Sequence, residues 1–317
     1  MAACARLAAR ARPISRPNPG VATIVVKEGR VLSTGWTREG GRPHAEADAL
    51  SRLKPGEAKG ATFYVTLEPC AHKSNRGPAC SDLLSAERPA RVVIGQRDPD
   101  PRTAGKGIAK LEAAGIAVEV LEDEASYASV AGFLTRQTKD RPYVTLKLAQ
   151  SLDGAIALAD GTSQWITGEA ARAHCHAMRA RNDAILVGGG TWRADKPRLN
   201  VRLPGLEDRS PDRIILTRGV QPDGVRVINT PEQISALEGV LHLYVEGGAA
   251  TAASFLEADL VDELHLYQAP IVLGGDGLGS VGVLGLTDLG AAHGRWRLRE
   301  AQALGSDRFT AYLRKRN

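Results

Sequence analysis

His44-Ala45-Glu46, with Glu68-Pro69-Cys70 and Cys80 downstream, are residues whose types and spacing could do chemistry. One imidazole and two thiolates make three good zinc ligands and leave a fourth position open for water. Zinc in such a site lowers the pKa of that water towards neutrality and so makes a nucleophile available. Glu46 is not needed as a ligand and can carry a proton from the water to a leaving amine. A lone His-x-Glu says little, and two cysteines also occur as buried apolar residues or as a disulfide. A structural zinc site, closed by Cys4 or His72, is the main alternative. The joint occurrence with Thr66-Leu67-Glu68-Pro69-Cys70 after a strand-like run favours a catalytic metal.

The elements around these groups predict where they stand. Val21–Val26 and Val31–Trp36 read as a hairpin turning at Glu28-Gly29. A helix over 44–53 places His44 and Glu46 in its first turn. Thr62–Thr66 reads as a strand that delivers Cys70 into the following turn, and Cys80 opens a helix over 80–86. A helix terminus with free N–H groups favours thiolate there. Strands over 91–95 and 116–121 flank a helix over 107–114. The order β-β-α-β-α-β-α-β predicts a three-layer α/β/α domain.

With 317 residues the chain is expected to form two domains, 1–140 and 141–317, joined near Lys139-Asp140-Arg141-Pro142. Beyond the joint, strands are predicted at 143–148, 184–187, 213–216, 241–245 and 263–270, with a further one at 309–314. Helices are predicted at 169–181 and 249–258. Gly188-Gly189-Gly190 and Gly247-Gly248 each follow a strand. Glycine in that place lets a backbone approach a pyrophosphate, and equally suits a tight turn without ligand.

Composition is that of an ordinary globular protein, 43% hydrophobic and 24% charged, with only 4% aromatic residues. The cores must therefore be built from Ala, Val, Leu and Ile. No apolar run is long enough to cross a bilayer. Four cysteines do not make a disulfide framework and fit a reducing cytoplasm. The first acidic residue is Glu28, so the arginine-bearing start could pass for a transit peptide. A short helix around Leu7, packed on the first domain, is the plainer reading. The net charge of +5 suits a phosphorylated substrate or cofactor, or merely a solvated surface.

The H-x-E…P-C…C pattern is that of zinc-dependent nucleobase deaminases. The whole chain resembles the bifunctional riboflavin-biosynthesis deaminase/reductase family. In the first domain the resemblance rests on Pro17-Asn18-Pro19, Pro43-His44-Ala45-Glu46, Thr66–His72, Gly77-Pro78-Ala79-Cys80 and Arg97-Asp98-Pro99-Asp100-Pro101. In the second it rests on Lys147-Leu148-Ala149, Ser151-Leu152-Asp153-Gly154, Ser163–Thr167, Arg179, Thr191, Ala194-Asp195, Leu199, Arg202 and Val245-Glu246-Gly247-Gly248. Most nucleobase deaminases space the two cysteines by only two residues; the longer insert here is more specific.

The resemblance implies a cytidine-deaminase-like domain followed by a dihydrofolate-reductase-like α/β domain. It implies zinc-dependent removal of the 2-amino group from 2,5-diamino-6-ribosylamino-4(3H)-pyrimidinone 5′-phosphate, then NADPH-dependent reduction of ribosyl to ribityl. The implied roles are His44, Cys70 and Cys80 as metal ligands, Glu46 as catalytic acid/base, and Asn18 as a reader of the pyrimidine. Lys147, Ser163, Trp165, Arg179, Asp195, Leu199, Arg202 and Glu246 would meet substrate in the second site. Ala149, Thr191, Gly247 and Gly248 would face NADPH. Arg179 and Arg202 suit a phosphate grip through forked hydrogen bonds. Lys147 or Asp153 could protonate the opened sugar imine, or form a structural ion pair. Trp165 lines the pocket or is a core aromatic. One departure concerns the cofactor: Thr217-Arg218-Gly219 stands where the family carries an Asp-Ser pair. The implied partners are a small phosphorylated pyrimidine and further copies of the chain, with no nucleic acid and no membrane. A nucleic-acid base deaminase with an appended non-catalytic nucleotide-binding domain is the competing reading. It needs a basic groove with stacking aromatics, and four Phe and six Tyr are not clustered near His44.

Overall fold

The computed structural model describes residues 1–72, 74–219 and 221–316. The chain divides into two compact units, Met1–Arg141 and Pro142–Asn317.

The first unit begins with α1 (Ala2–Ala8). Its Cys4 and Ala8 pack against Ala22, with Leu7, Ile24 and Trp36 around them, as expected of a short packed helix. Strands β1 (Ala22–Lys27) and β2 (Arg30–Trp36) form the hairpin. Glu28 and Gly29 turn it with φ of 50° and 74°, the positive values that match the twist of the strands. Then follow α2 (Ala45–Leu50), β3 (Thr62–Val65), α3 (Cys80–Glu87), β4 (Arg91–Ile94), α4 (Lys106–Ala113), β5 (Ala117–Val120) and α5 (Glu124–Lys139). The sheet runs β2-β1-β3-β4-β5. β3, β4 and β5 are parallel, and β1 is antiparallel to both its neighbours.

Two expectations need correction here. His44 is not in the first turn of α2 but caps it in extended conformation. The helix also stops at Leu50 rather than running to 53. The 16-residue α5 was not anticipated; Asp123 caps it by accepting from the Ser126 N–H, and its weakly periodic apolar residues gave little signal.

The second unit comprises β6 (Tyr143–Gln150), β7 (Ala155–Ala157), α6 (Glu169–Arg179), β8 (Ala184–Gly188), α7 (Gly189–Asp195), β9 (Asp212–Leu216), β10 (Arg226–Ile228), β11 (His242–Val245), α8 (Ala249–Glu257), β12 (Glu263–Gln268), β13 (Leu278–Gly279), β14 (Trp296–Leu304) and β15 (Asp307–Arg314). The main sheet has the order β10-β9-β8-β11-β6-β12-β15-β14, and β13 pairs with β7 separately. From β10 to β12 the strands are parallel; β15 and β14 are antiparallel. Strands buried on both faces read as continuous apolar runs. Alternate residues serve the two layers. Val144, Leu146, Leu186, Leu243, Val245 and Phe255 make one core. Tyr244, Tyr267 and Phe309 pack with Ala171 and Cys175 of α6 on the other face.

The C-terminal ends of β8, β9 and β11 lie side by side, where ligands bind in open parallel sheets. A Cβ on Gly188 would stand 2.2 Å from Thr251 Oγ1, and one on Gly247 2.4 Å from Thr251 Cβ. Both glycines are therefore required by the close approach of α8, whatever is bound. Among the described residues, no helix is long and apolar enough to cross a membrane.

Candidate active sites

In the first unit the end of β3, the cap of α2 and the start of α3 converge. His44 Nδ1 lies 3.5 Å from Cys70 Sγ and 3.4 Å from Cys80 Sγ. All three ligand atoms fall within 4.8 Å of one another. A tetrahedral zinc with bonds of about 2.0 Å to nitrogen and 2.3 Å to sulfur requires N···S edges of about 3.5 Å, so these residues fit the metal. Neither Cys4 nor His72 joins the cluster. Cys4 Sγ donates to the carbonyls of Ala22 and Tyr64, and His72 Nδ1 lies 3.4 Å from Thr103 Oγ1. The three-ligand arrangement with an open position is thus the one present among the described residues. The Cys80 N–H, at the start of α3, donates to Cys70 Sγ at 3.3 Å. Hydrogen bonding from Cys80 and His44 pushes the Cys70 thiol down to about 4, while the hydrogen bond with Cys70 and burial raise Cys80.

Glu46 is 3% exposed. Burial and the negative charge of Cys70 raise its pKa, the direction wanted of a group that must both take and give a proton. Gly35 lets this happen. A Cβ there would come within 2.2 Å of the Ala45 carbonyl, so only glycine allows α2 to sit this low on β2. Asp48 then pins the helix, accepting from the Trp36 N–H and from Arg38 and Arg52. The Asn18 amide lies directly over Gly41, three residues before His44.

Sequence reasoning quoted Glu68 as part of a motif but gave it no job. It is a buried carboxylate that accepts from the N–H groups of Gly105, Gly107 and Ile108 at 3.1–3.3 Å and of Asp98 at 3.4 Å. It caps α4, where a helix start favours negative charge, and so ties the Cys70 turn to the 98–108 loop. A charged residue immediately before Pro-Cys, followed later by a glycine-flanked helix start, was the available signal. Burial beside Asp100 and Glu68 pushes Asp98 up to about 7.

In the second unit Arg179 and Glu246 form a two-pronged pair, Nε–Oε1 2.6 Å and Nη2–Oε2 2.9 Å. Lys147 Nζ is 3.7 Å from Oε2, and the Cys175 thiol faces Oε1 at 3.7 Å. Although burial opposes it, the charges of Arg179 and Lys147 hold Glu246 down to about 2. Two expectations change accordingly. The Arg179 fork is spent on Glu246 and the Asn200 carbonyl, leaving no fork for a phosphate. Glu246 is likewise a shared acceptor between two cations. Arg202 is different: it is exposed, and its neighbour is His176, which burial and the two arginines push down to about 4. A neutral imidazole has one acceptor nitrogen. It can take the Arg202 N–H at 3.2 Å or the Nε–H at 3.3 Å but not both, so the guanidinium can turn to a ligand.

Leu199, expected at the substrate, is 3% exposed, its side chain packed with Ile185, Val187, Ile215 and Val225. Only its backbone, at φ 55°, is left to meet a ligand. Trp165 is 63% exposed, which excludes a core role; the Arg172 guanidinium lies 5.0 Å from its ring centre. Asp153 accepts from Ser151 Oγ and from the N–H groups of Leu273 and Gly274. These bonds hold it down to about 2, the direction opposite to that wanted of a proton donor. Ala149 packs beside Tyr244, Tyr267 and Phe309, and the last two also meet His174. Ser163 is half-buried and Asp195, ending α7, is exposed.

Thr191 lies beside Gly248, whose Cβ would be 3.6 Å from Thr191 Oγ1, and a Cβ on Gly190 would meet nothing within 4 Å. Thr217 reaches the same turn, 2.6 Å from a Cβ on Gly189. Gly190 and Gly248 thus leave room beside the backbone at these strand ends, which fits a dinucleotide brought close to it.

Residues 142–309 match the RibD C-terminal domain model, and residues 1–96 match the cytidine and deoxycytidylate deaminase zinc-binding region. The riboflavin biosynthesis protein RibD of Escherichia coli K12 is 37% identical over 97% of this chain and 96% of its own length. That of Aquifex aeolicus is 38% identical over 95% and 94%. Among solved structures, Acinetobacter baumannii RibD aligns with a TM-score of 0.86 and 32% identity, covering 99% of this chain and 97% of that one. A diaminohydroxyphosphoribosylaminopyrimidine deaminase/5-amino-6-(5-phosphoribosylamino)uracil reductase from Thermotoga maritima gives 0.86 and 31%, with the same coverage.

Proposed function

Because this chain belongs to the bifunctional riboflavin-biosynthesis deaminase/reductase family, we propose a division of labour between its two units. The protein is a bifunctional enzyme of riboflavin biosynthesis, a deaminase and a reductase. Its fold is the expected cytidine-deaminase-like domain followed by a dihydrofolate-reductase-like one. In the proposal, residues 1–140 deaminate 2,5-diamino-6-ribosylamino-4(3H)-pyrimidinone 5′-phosphate and residues 141–317 reduce its ribosyl unit to ribityl. The observation that carries the reading is the triad of His44, Cys70 and Cys80 with buried Glu46 beside it.

Zinc held by that triad supplies Lewis acidity and makes water nucleophilic near neutral pH. Glu46 takes the proton as water attacks the amino-bearing ring carbon, then delivers it to the departing ammonia. Asn18 reads the pyrimidine, and the Glu68 clamp keeps the Cys70 turn in place.

Ala149, Thr191, Gly247 and Gly248 would hold NADPH, which would supply the hydride for C1′ of the opened ribosyl unit. Lys147 supplies the proton, and Glu246, 3.7 Å away, aims that amine. Arg179 positions Glu246, while Arg202 takes the 5′-phosphate. Trp165, Ser163, Asp195 and the Leu199 backbone border the substrate. Thr217-Arg218-Gly219 leaves the choice of NADPH over NADH to Arg218, which is exposed at this end and could take a 2′-phosphate. The proposed setting is cytoplasmic, supported by four buried free thiols, and the proposed assembly is a homo-oligomer acting on small phosphorylated pyrimidines rather than nucleic acid.

The test is mass spectrometry of the diaminopyrimidinone ribosylamine phosphate incubated with zinc-loaded protein, with and without NADPH. Loss of the amino group without NADPH, then a two-hydrogen gain on adding it, is expected. Reduction without prior deamination overturns the proposed order, and no deamination by zinc-loaded protein overturns the role of the triad.

A further inference from the structure

The second unit has another concavity, at the opposite ends of its strands. It encloses about 650 Å³, within the range of small-molecule sites. Asp212 opens β9 and Arg226 opens β10, so the cavity is separated from the Gly189–Thr217–Glu246 end by the length of a five-residue strand, about 15 Å. Lys147, Arg179, Arg202 and Glu246 take no part in its lining; of the residues proposed to meet substrate, Leu199 alone is shared with it.

The lining chemistry is uneven. Arg198, Arg213 and Arg226 stand against the single carboxylate of Asp212, with Asn200 and Ser210 between them. Arg226 donates to the Ala236 carbonyl. Among the described residues, Arg198 and Arg213 have no ion-pair partner. Guanidinium groups in a concavity are suited to phosphate. The Asn200 side-chain oxygen is buried without a hydrogen-bond partner. A buried acceptor left unmade costs free energy, so a shift of this lining residue that brings the oxygen to a ligand hydroxyl would be favoured. Phosphate and hydroxyl together describe a sugar phosphate or a nucleotide.

The same loop reaches the reductase site. The Asn200 carbonyl accepts from Arg179 Nη1 at 3.1 Å, and Arg179 in turn grips Glu246. Between them Leu199 holds φ 55°, a left-handed conformation that costs a branched residue free energy and persists only where its surroundings fix it.

We propose that this cavity is a second ligand site, binding a nucleotide or sugar phosphate through Arg198 and Arg213, and that occupancy changes the reductase site through Asn200 and Arg179. The binding claim stands on the cavity alone. The coupling claim rests on the reductase reading above.

The experiment uses AMP as probe on the full chain saturated with zinc and NADPH. Hydrogen exchange followed by mass spectrometry locates the contact, and reductase kinetics are measured on deaminated substrate. AMP is expected to protect 198–200, 210–214 and 224–226, and to change KM or kcat by about five-fold or more, the usual scale of coupling between sites. Both effects should vanish in Arg198→Ser/Arg213→Ser, whose substituted side chains are exposed, while its deaminase rate is unchanged. No protection at those segments, or the same protection in the double variant, overturns the site. Protection without any change in kinetics overturns the coupling. Because exchange is read without turnover, absence of reductase activity would count against the reductase reading and leave the binding result standing.

Discussion

The two candidate sites are built on opposite plans. In the first unit His44 faces two thiols across 3.4–3.5 Å, and among the described residues no fourth His, Cys, Asp or Glu joins them. In the second, Arg179, Glu246 and Lys147 complete one another. The first is a set of candidate metal ligands; the second is an ion cluster already closed, with the groups proposed to face ligand, Arg202 and the glycine turns, around it. A site of the first kind can be read from residue types and spacing, because metal geometry dictates both. A site of the second kind cannot, because an arginine's job depends on which carboxylate the fold sets beside it.

The sharpest way to break the contrast is Glu46→Gln. Zinc content should stay at wild type and deamination should fall by about 10²- to 10⁴-fold, with reduction of pre-deaminated substrate unchanged. Zinc analysis and separate assays of the two half-reactions check this; near-normal deamination would remove Glu46 from the chemistry. Next is Arg179→Met, which strands a buried carboxylate and should destabilise the second unit by about 3–5 kcal/mol. Adding Glu246→Met should recover most of that stability, though not reduction. Denaturant melts read both, and failure of the second change to rescue would mean that Arg179 does more than neutralise Glu246. Arg202→Ala is smaller. Removing a charge-assisted bond worth about 1.5–3 kcal/mol should raise KM for phosphorylated substrate by about 10- to 100-fold with little change in kcat or melting. A fall in kcat at constant KM would move Arg202 from binding to chemistry.

The smallest effect is on acid stability. Glu246 is held at about 2 against an ordinary 4.5. Its contribution is therefore fully present above 4.5 and is lost as pH falls towards 2. From pH 7 to pH 4 the loss from this group should be only about 1 kcal/mol. Melts of wild type and the Arg179→Met/Glu246→Met pair should converge by that amount on acidification. Divergence would reverse the sign and dissolve the ion-cluster picture.

Much of this was legible in the chain. The strands on either side of Cys70, the one carrying Lys147 and the one that ends just before Glu246 announce themselves as largely apolar runs, and the candidate metal ligands follow from their spacing. What escaped did so for physical reasons. β14 is an edge strand exposed along most of its length, so it lacks the alternation that marks a half-buried strand. α7 starts at Gly189 itself, where a glycine run reads as a turn. The Arg179–Glu246 pair spans 67 residues and exists only because β11 lies beside β8 in the sheet. Glu68 looked like punctuation before Pro69-Cys70 until its four backbone donors were seen.

That carboxylate has a consequence for descent as well as for geometry. Glu68 holds the backbone at 98 and 105–108, and a Cβ on Gly107 would strike the Pro69 carbonyl at 2.1 Å. The two segments can therefore change only in concert. An insertion between 98 and 108 would drag the Cys70 turn out of register, whereas drift at Glu57, exposed at a loop tip, would leave it alone. Genomes that lengthen or shorten this chain should spare the stretch from Asp98 to Ile108, as they must spare the cysteines themselves.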